Sequence, residues 1–313
     1  MNSFLVSFNA IMPLATYILI GVAVTHFKLM DEDFLEKFNS FMFKYCYPIL
    51  IFSNVYNTDF AVAADARVIV YNLVFIVAVA SVLVVVAPLV IDSRPTCSSF
   101  VQAGFRSNVL LFGLPLTISI FGADSTGMIG ITAAFIVPVY NVIAVIVLEY
   151  FRGENITPIL LIKSIIKNPL IRGAVLGIGY NLLGGPRPQV MIQIMSNLAT
   201  STTVFAIIIL GASLKFSSLK SNMKYLVWGI TLRLVVAPAI AVSIAYNVLG
   251  FVGMPLFVTL VISAAPVAAS AFTMARNMDG DYEICAQYIA ISTVLSVFTI
   301  FCWMSLMMSL GLI

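Results

Sequence analysis

Stretches of about twenty apolar residues follow one another along this chain with little polar sequence between them. They run over residues 4–25, 35–56, 67–91, 98–121, 127–150, 164–183, 190–214, 223–249, 254–275 and 283–311. A helix needs about 20 such residues to cross the hydrocarbon of a bilayer. The spacing therefore predicts an all-α integral membrane protein with ten transmembrane helices. Composition excludes a soluble alternative: 61% of the residues are hydrophobic and 9% charged, whereas a soluble domain carries roughly a quarter charged residues. The longest polar gap, around 151–163, leaves no room for a soluble domain. In the second stretch Glu36, Lys37, Asn39, Ser40 and Lys44 make the start amphipathic, which is compatible with entry along the membrane interface. The first, Phe4 to Val24, lacks a basic leader and reads as a retained span.

A net charge of +3 with scattered basic residues points away from nucleic acid. Cys46, Cys97, Cys285 and Cys302 show no metal-ligand or disulfide spacing. His26 is the single histidine and sits in a loop. No metal, cofactor or enzyme chemistry is expected. The Phe and Tyr residues read as packing and lipid-facing material.

Orientation follows from the basic residues. Loops after odd-numbered stretches hold Lys28, Lys37, Arg94, Arg152, Lys163, Lys167, Lys215, Lys220, Lys224 and Arg276; the other loops and the termini hold Arg67 and Arg187. Short cytoplasmic loops are the ones enriched in Lys and Arg. The bias predicts a multi-pass protein of the plasma (inner) membrane with both termini on the outer side.

The chain also matches itself at a nearly constant offset. Pro13 and Gly21 recur as Pro169 and Gly177, "VVAP" at 85–88 recurs at 235–238, and Pro115 finds Pro266. Five spans are an odd number, so a repeat of five lies upside down relative to its partner, the inverted plan of secondary transporters. The division expected is 1–150 for the first repeat, 151–163 for a short cytoplasmic connector and 164–313 for the second.

Pro115 and Pro266 interrupt the fourth and ninth stretches among small residues, Gly113 in the first and Ser263, Ala264 and Ala265 in the second. Proline suits the first turn of a helix, where its missing N–H costs nothing. Each stretch thus reads as two half-helices, the second beginning near the proline. The alternative is a kink packed by its neighbours. Matched interruptions point to a transporter's binding site, and half-helix N-termini suit an anion. Lys44, Arg106, Arg172 and Arg233 fall inside apolar stretches, while all 13 acidic residues fall in loops or near span ends. Buried cations without buried acids suit an anion pathway. The competing account is snorkelling, favoured for Arg172 and evenly balanced for Arg106 and Arg233. Asp65, at the mouth of the third stretch, is the nearest carboxylate and reads as a solvated loop end. Asn108, Ser107, Thr117, Ser263 and Ser270 lie near the breaks, and Ser53, Asn54 and Asn141 are polar positions in neighbouring stretches. The asparagines can bind a carboxylate, or simply another helix.

With "RSNVLLFGLPL" at 106–116, "ISAAPVAASAFTMARN" at 262–277, "YPILIF" at 47–52 and "LGASL" at 210–214, the chain resembles the auxin efflux carrier family. The resemblance covers nearly the whole chain. It implies two inverted five-helix repeats with broken crossover helices 4 and 9, and a fold similar to bile acid/sodium symporters. It also implies a scaffold part and a transport part that move against each other, and small carboxylates such as malate or malonate as cargo. The implied pocket lies between the two breaks, with contributions from the second and fifth spans. The candidate substrate-binding residues are Asn108, Gly113, Pro115, Ser263, Pro266, Arg106, Ser53, Asn54 and Asn141. The function expected is secondary active transport of a small organic anion by alternating access. A sodium-coupled symporter and a non-transporting sensor stand as alternatives. Expected partners are the anion, the lipid bilayer and a second copy of the chain as a candidate homodimer.

Overall fold

The computed structural model describes residues 2–56, 65–121, 126–153, 158–186, 188–214 and 219–313. Arg187, Lys215 and residues 154–157 of the expected connector lie outside them, and at Pro115 the description covers the main chain. Each of the ten apolar stretches is largely helical, the fourth, sixth and ninth in two pieces. In chain order these are α1 (Asn2–His26), α2 (Glu32–Phe41), α3 (Tyr47–Tyr56), α4 (Ala66–Val90), α5 (Arg94–Phe105), α6 (Val109–Phe121), α7 (Thr126–Arg152), α8 (Pro158–Lys167), α9 (Pro169–Leu182), α10 (Gln189–Ala212), α11 (Leu219–Thr231), α12 (Ala237–Asn247), α13 (Met254–Ala264), α14 (Ser270–Asn277) and α15 (Tyr282–Ser309). Five segments, Ala66–Val90, Gly127–Arg152, Gln189–Ala212, Leu219–Asn247 and Tyr282–Ser309, are long and apolar enough to cross a membrane; Ala15–His26 and Met254–Ala264 are shorter apolar helices.

Two helices continue through a wide turn. Met42–Cys46 joins α2 to α3 and Leu232–Val236 joins α11 to α12, both as π-helix. The cause is shared. Each turn is followed by one residue and then a proline, Pro48 or Pro238. Proline has no N–H to give the carbonyl four residues back, and its ring crowds that carbonyl. The wide turn absorbs the crowding, with Tyr47 N–H reaching Met42 O and Ala237 N–H reaching Leu232 O. The carbonyl that Pro238 cannot serve is that of Leu234, and the Trp303 indole on α15 donates to it at 3.0 Å. A main-chain acceptor freed in hydrocarbon is re-satisfied in this way.

Helix starts are capped by their neighbouring side chains: Asp31 accepts from Phe34 N–H, Asn168 from Leu170 N–H and Asp281 from Ile284 N–H. Asp65 caps α4 and pairs with Arg67 at 2.9 Å; that hydrogen bond holds its carboxyl below the usual carboxylate range. It stands at a loop end and does not line the cavity described below.

Helices α1, α3, α9 and α10 pack as one group, α1 on α10 and α3 on both α9 and α10. Main chains touch there. A Cβ built on Gly21 would lie 2.1 Å from Ile208 O, one on Gly211 2.2 Å from Ile18 O, and one on Gly173 2.5 Å from Pro48 O. In lipid no hydrophobic force draws helices together, so close approach through small residues supplies the association. Helices α4, α7, α11, α12 and α15 pack against the two interrupted helices, α5–α6 and α13–α14.

Candidate functional site

The fourth and ninth apolar stretches are both interrupted. α5 stops at Phe105 and α6 begins at Val109; α13 stops at Ala264 and α14 begins at Ser270. The two gaps cross. Ser107 and Val267 form an isolated antiparallel bridge. Asn108 N–H donates to Pro266 O at 2.9 Å, and Ala268 N–H to Arg106 O at 3.4 Å. Val267 N–H donates to the Ser292 hydroxyl at 3.2 Å. Main-chain groups released by each break are thus met by the other break and by α15.

Pro266 lies in its gap, as the sequence predicts. Pro115 does not. Helix runs unbroken from Val109 to Phe121, through position 115, and the first break falls at Arg106–Asn108. The expectation that the second half-helix begins near Pro115 is therefore corrected. The position of the break follows the cross-chain pairing with residues 266–268, which satisfies the freed groups.

Arg106 and Arg233 look alike in the sequence, and each is 2% exposed. Neither snorkels, whereas Arg172 and Lys44 are exposed. Arg233, carried in the π-helical turn after α11, donates Nε to Ala265 O and Nη2 to Ile262 O, each at 2.8 Å. Its Nη1 faces Gly104 O at 3.3 Å and Phe105 O at 3.4 Å. These carbonyls close the C-terminal ends of α13 and α5, where the helix dipole is negative. One guanidinium therefore caps both first half-helices.

Arg106 meets different company. Its Nη2 donates to Asn141 Oδ1 at 2.5 Å and to the Ser270 hydroxyl at 2.8 Å. Its Nη1 reaches Gln102 Oε1 at 3.4 Å and lies against the Met274 sulfur. All are neutral, and among the described residues no carboxylate pairs with it. The Asn141 amide is oriented by donating to Val137 O at 3.0 Å.

Arg106 lines a cavity of about 80 Å³ together with Tyr47, Leu50, Ile51, Asn54, Ser107, Asn108, Val109, Val137, Tyr140, Asn141, Ala268 and Ser270. Val109 and Ser270 are the first residues of α6 and α14. The cavity therefore sits at the N-terminal, positive ends of both second half-helices. The crossing is polarised, with its negative ends sealed by Arg233 and its positive ends facing the cavity.

Of the sequence-derived candidates, Asn54, Arg106, Asn108 and Asn141 meet at this cavity. Pro266 takes part through its carbonyl. Ser263 does not line it; its hydroxyl bonds back to Thr259 O and Leu260 O on its own helix. Ser53 is buried away from the lining. Gly113 is a packing point, where a Cβ would fall 2.3 Å from Ile129 Cδ1. Position 115 lies inside α6. Tyr47, Gln102 and Tyr140 were not legible as site residues, because tyrosine in an apolar helix reads as packing. Two signals were present: Tyr47 precedes a proline within a span, and Gln102 stands four residues before Arg106, on the same helix face.

A family model described as membrane transport protein matches residues 6–304. The chain belongs to this family. It is the auxin efflux carrier-like family of membrane transporters. An uncharacterized transporter of Methanothermobacter thermautotrophicus is 23% identical over 309 residues, covering 96% of this chain and 98% of the relative. The protein is thus an integral membrane transporter, and the crossing and its cavity are features of a transporter of this family.

Proposed function

We propose that this transporter is a secondary carrier that moves a small organic anion, a carboxylate, across the plasma membrane by alternating access, with the crossover cavity as its substrate site. One observation carries the proposal. Arg106 is a buried cation that lines the cavity, and among the described residues its partners are neutral. Burying a charge without a counter-charge is costly, and an anionic occupant removes that cost. The free ends of α6 and α14 add to the same field. Within this proposal the ten apolar stretches are ten spans in two inverted repeats, 1–150 and 164–313. The interrupted helices α5–α6 and α13–α14, one in each half, support that arrangement. The basic-residue bias supports placing both termini outside.

The test is uptake of labelled succinate and acetate into proteoliposomes, with and without a sodium gradient, by wild type and Arg106→Gln. Wild type should transport one of them and Arg106→Gln should not, while the variant stays folded. Flux of amines or neutral sugars with none of carboxylates would sink the assignment.

A further inference from the structure

Tyr47 lines the crossover cavity together with Arg106, and its chemistry there is unaccounted for. It is 4% exposed, and its hydroxyl is buried with no hydrogen-bond partner among the described residues. Thr273 lies beside it without reaching bonding geometry. Other buried tyrosines are satisfied: Tyr140 meets the Ser107 hydroxyl at 3.0 Å, and Tyr288 donates to Tyr225 O at 2.7 Å. A buried hydroxyl without a partner costs stability, and each such group in a native protein calls for an explanation. A tyrosine needed only for packing would be served equally by phenylalanine.

The main chain around Tyr47 is held independently of that hydroxyl. The π-helical turn Met42–Cys46 ends in the Tyr47 N–H to Met42 O bond. The extra residue of that turn rotates everything after it by about 100° relative to an unbroken α-helix. Pro48, next in sequence, packs main chain to main chain on Gly173. The ring is therefore aimed at the cavity by backbone geometry, and its hydroxyl is left over.

We propose that the Tyr47 hydroxyl is a ligand-binding and specificity-determining group that donates a hydrogen bond to the bound anion. This rests on the anion binding proposed above. Arg106 and the helix ends attract any anion. A fixed phenol donor rewards one with a directional oxygen acceptor, so Tyr47 separates carboxylates from halides.

The experiment is thermal unfolding of the purified full-length protein in detergent. Wild type, Tyr47→Phe, Thr273→Val and Arg106→Gln are each titrated with sodium acetate or sodium succinate against sodium chloride at constant ionic strength. Without carboxylate, Tyr47→Phe should melt at or above wild type, since it removes an unsatisfied group. It should need 10- to 100-fold more carboxylate for half-maximal stabilisation, the loss of one hydrogen bond to a charged acceptor. Its response to chloride should be unchanged, and Thr273→Val should titrate like wild type. A Tyr47→Phe protein that melts below wild type without carboxylate overturns the proposal, as does one with wild-type carboxylate affinity. So does a Thr273→Val protein that reproduces the Phe effect, since the hydroxyl would then serve Thr273. If wild type and Arg106→Gln differ in their carboxylate response while Tyr47→Phe matches wild type, Tyr47 alone is misassigned. If wild type shows no carboxylate response, anion binding itself fails, and the role of Tyr47 fails with it.

Discussion

Ser107 and Val267, residues from opposite halves of the chain, pair across the crossing of the two interrupted helices as an isolated antiparallel bridge. This pairing explains how a bilayer protein tolerates two stretches of non-helical backbone at one place. Irregular backbone survives at membrane depth only when buried in protein or lining a cavity. Here both hold: the two gaps bond each other, and one side of them lines the cavity around Arg106. The pairing also brings the ends of four half-helices together, so two buried arginines acquire opposite duties.

Arg233 is predicted to matter for the fold before it matters for transport. Replacing it by Met strands the carbonyls of Gly104, Phe105, Ile262 and Ala265 in a buried crossing. Losing charge-assisted bonds of this kind should cost about 3 kcal/mol or more, seen as a large drop in melting temperature and poor recovery of monodisperse protein. Arg233→Lys should recover part of the loss. Wild-type melting of Arg233→Met would show that the carbonyls find other partners.

The glycines should separate into two classes by what a methyl group would meet. Gly211→Ala places Cβ against the main-chain carbonyl of Ile18 on α1, which cannot step aside as a side-chain tip can. A destabilisation of about 1–3 kcal/mol is expected from such overpacking. Gly130→Ala in α7 meets nothing within 4 Å, and alanine favours helix over glycine. It should therefore melt at or above wild type. Equal behaviour of the two variants in thermal unfolding would contradict the close approach of α1 and α10.

Orientation can be settled with introduced thiols. Cys97 is 1% exposed and Cys285 fully buried, so the native thiols should label poorly from either side. With Cys46 and Cys302 replaced, Asp92→Cys in the loop before α5 should react with an impermeant maleimide only after the membrane is opened. Val248→Cys, at a position 73% exposed, should react in intact cells. The reverse pattern would invert the topology drawn from the basic residues.

Much of this architecture was legible in the sequence. Apolar length marked the helices, because a helix in lipid is dictated by its own composition. Pro266 marked its break, since a residue without an N–H perturbs its own turn. Arg106 and Asn108 stood out as polar groups in apolar surroundings, and both reach the cavity. Pro115 misled for a physical reason: a proline inside a helix removes one bond, which α6 tolerates, while the break lies where cross-chain partners exist. Gln102 and Tyr47 escaped notice because neither is unusual in composition.

What the sequence determined by itself is local: helices that match a bilayer, interruptions in two of them, and cations set in apolar stretches with no acid nearby. What only the tertiary structure decided is direction. Arg106 and Arg233 are equal in chemistry and in burial. The crossing sets one at the carbonyl ends of α5 and α13 and the other beside the N–H ends of α6 and α14. A helix end has a sign, but which side chain meets it depends on residues more than a hundred positions apart coming together. That is why two identical residue types become a structural cap and a candidate anion site.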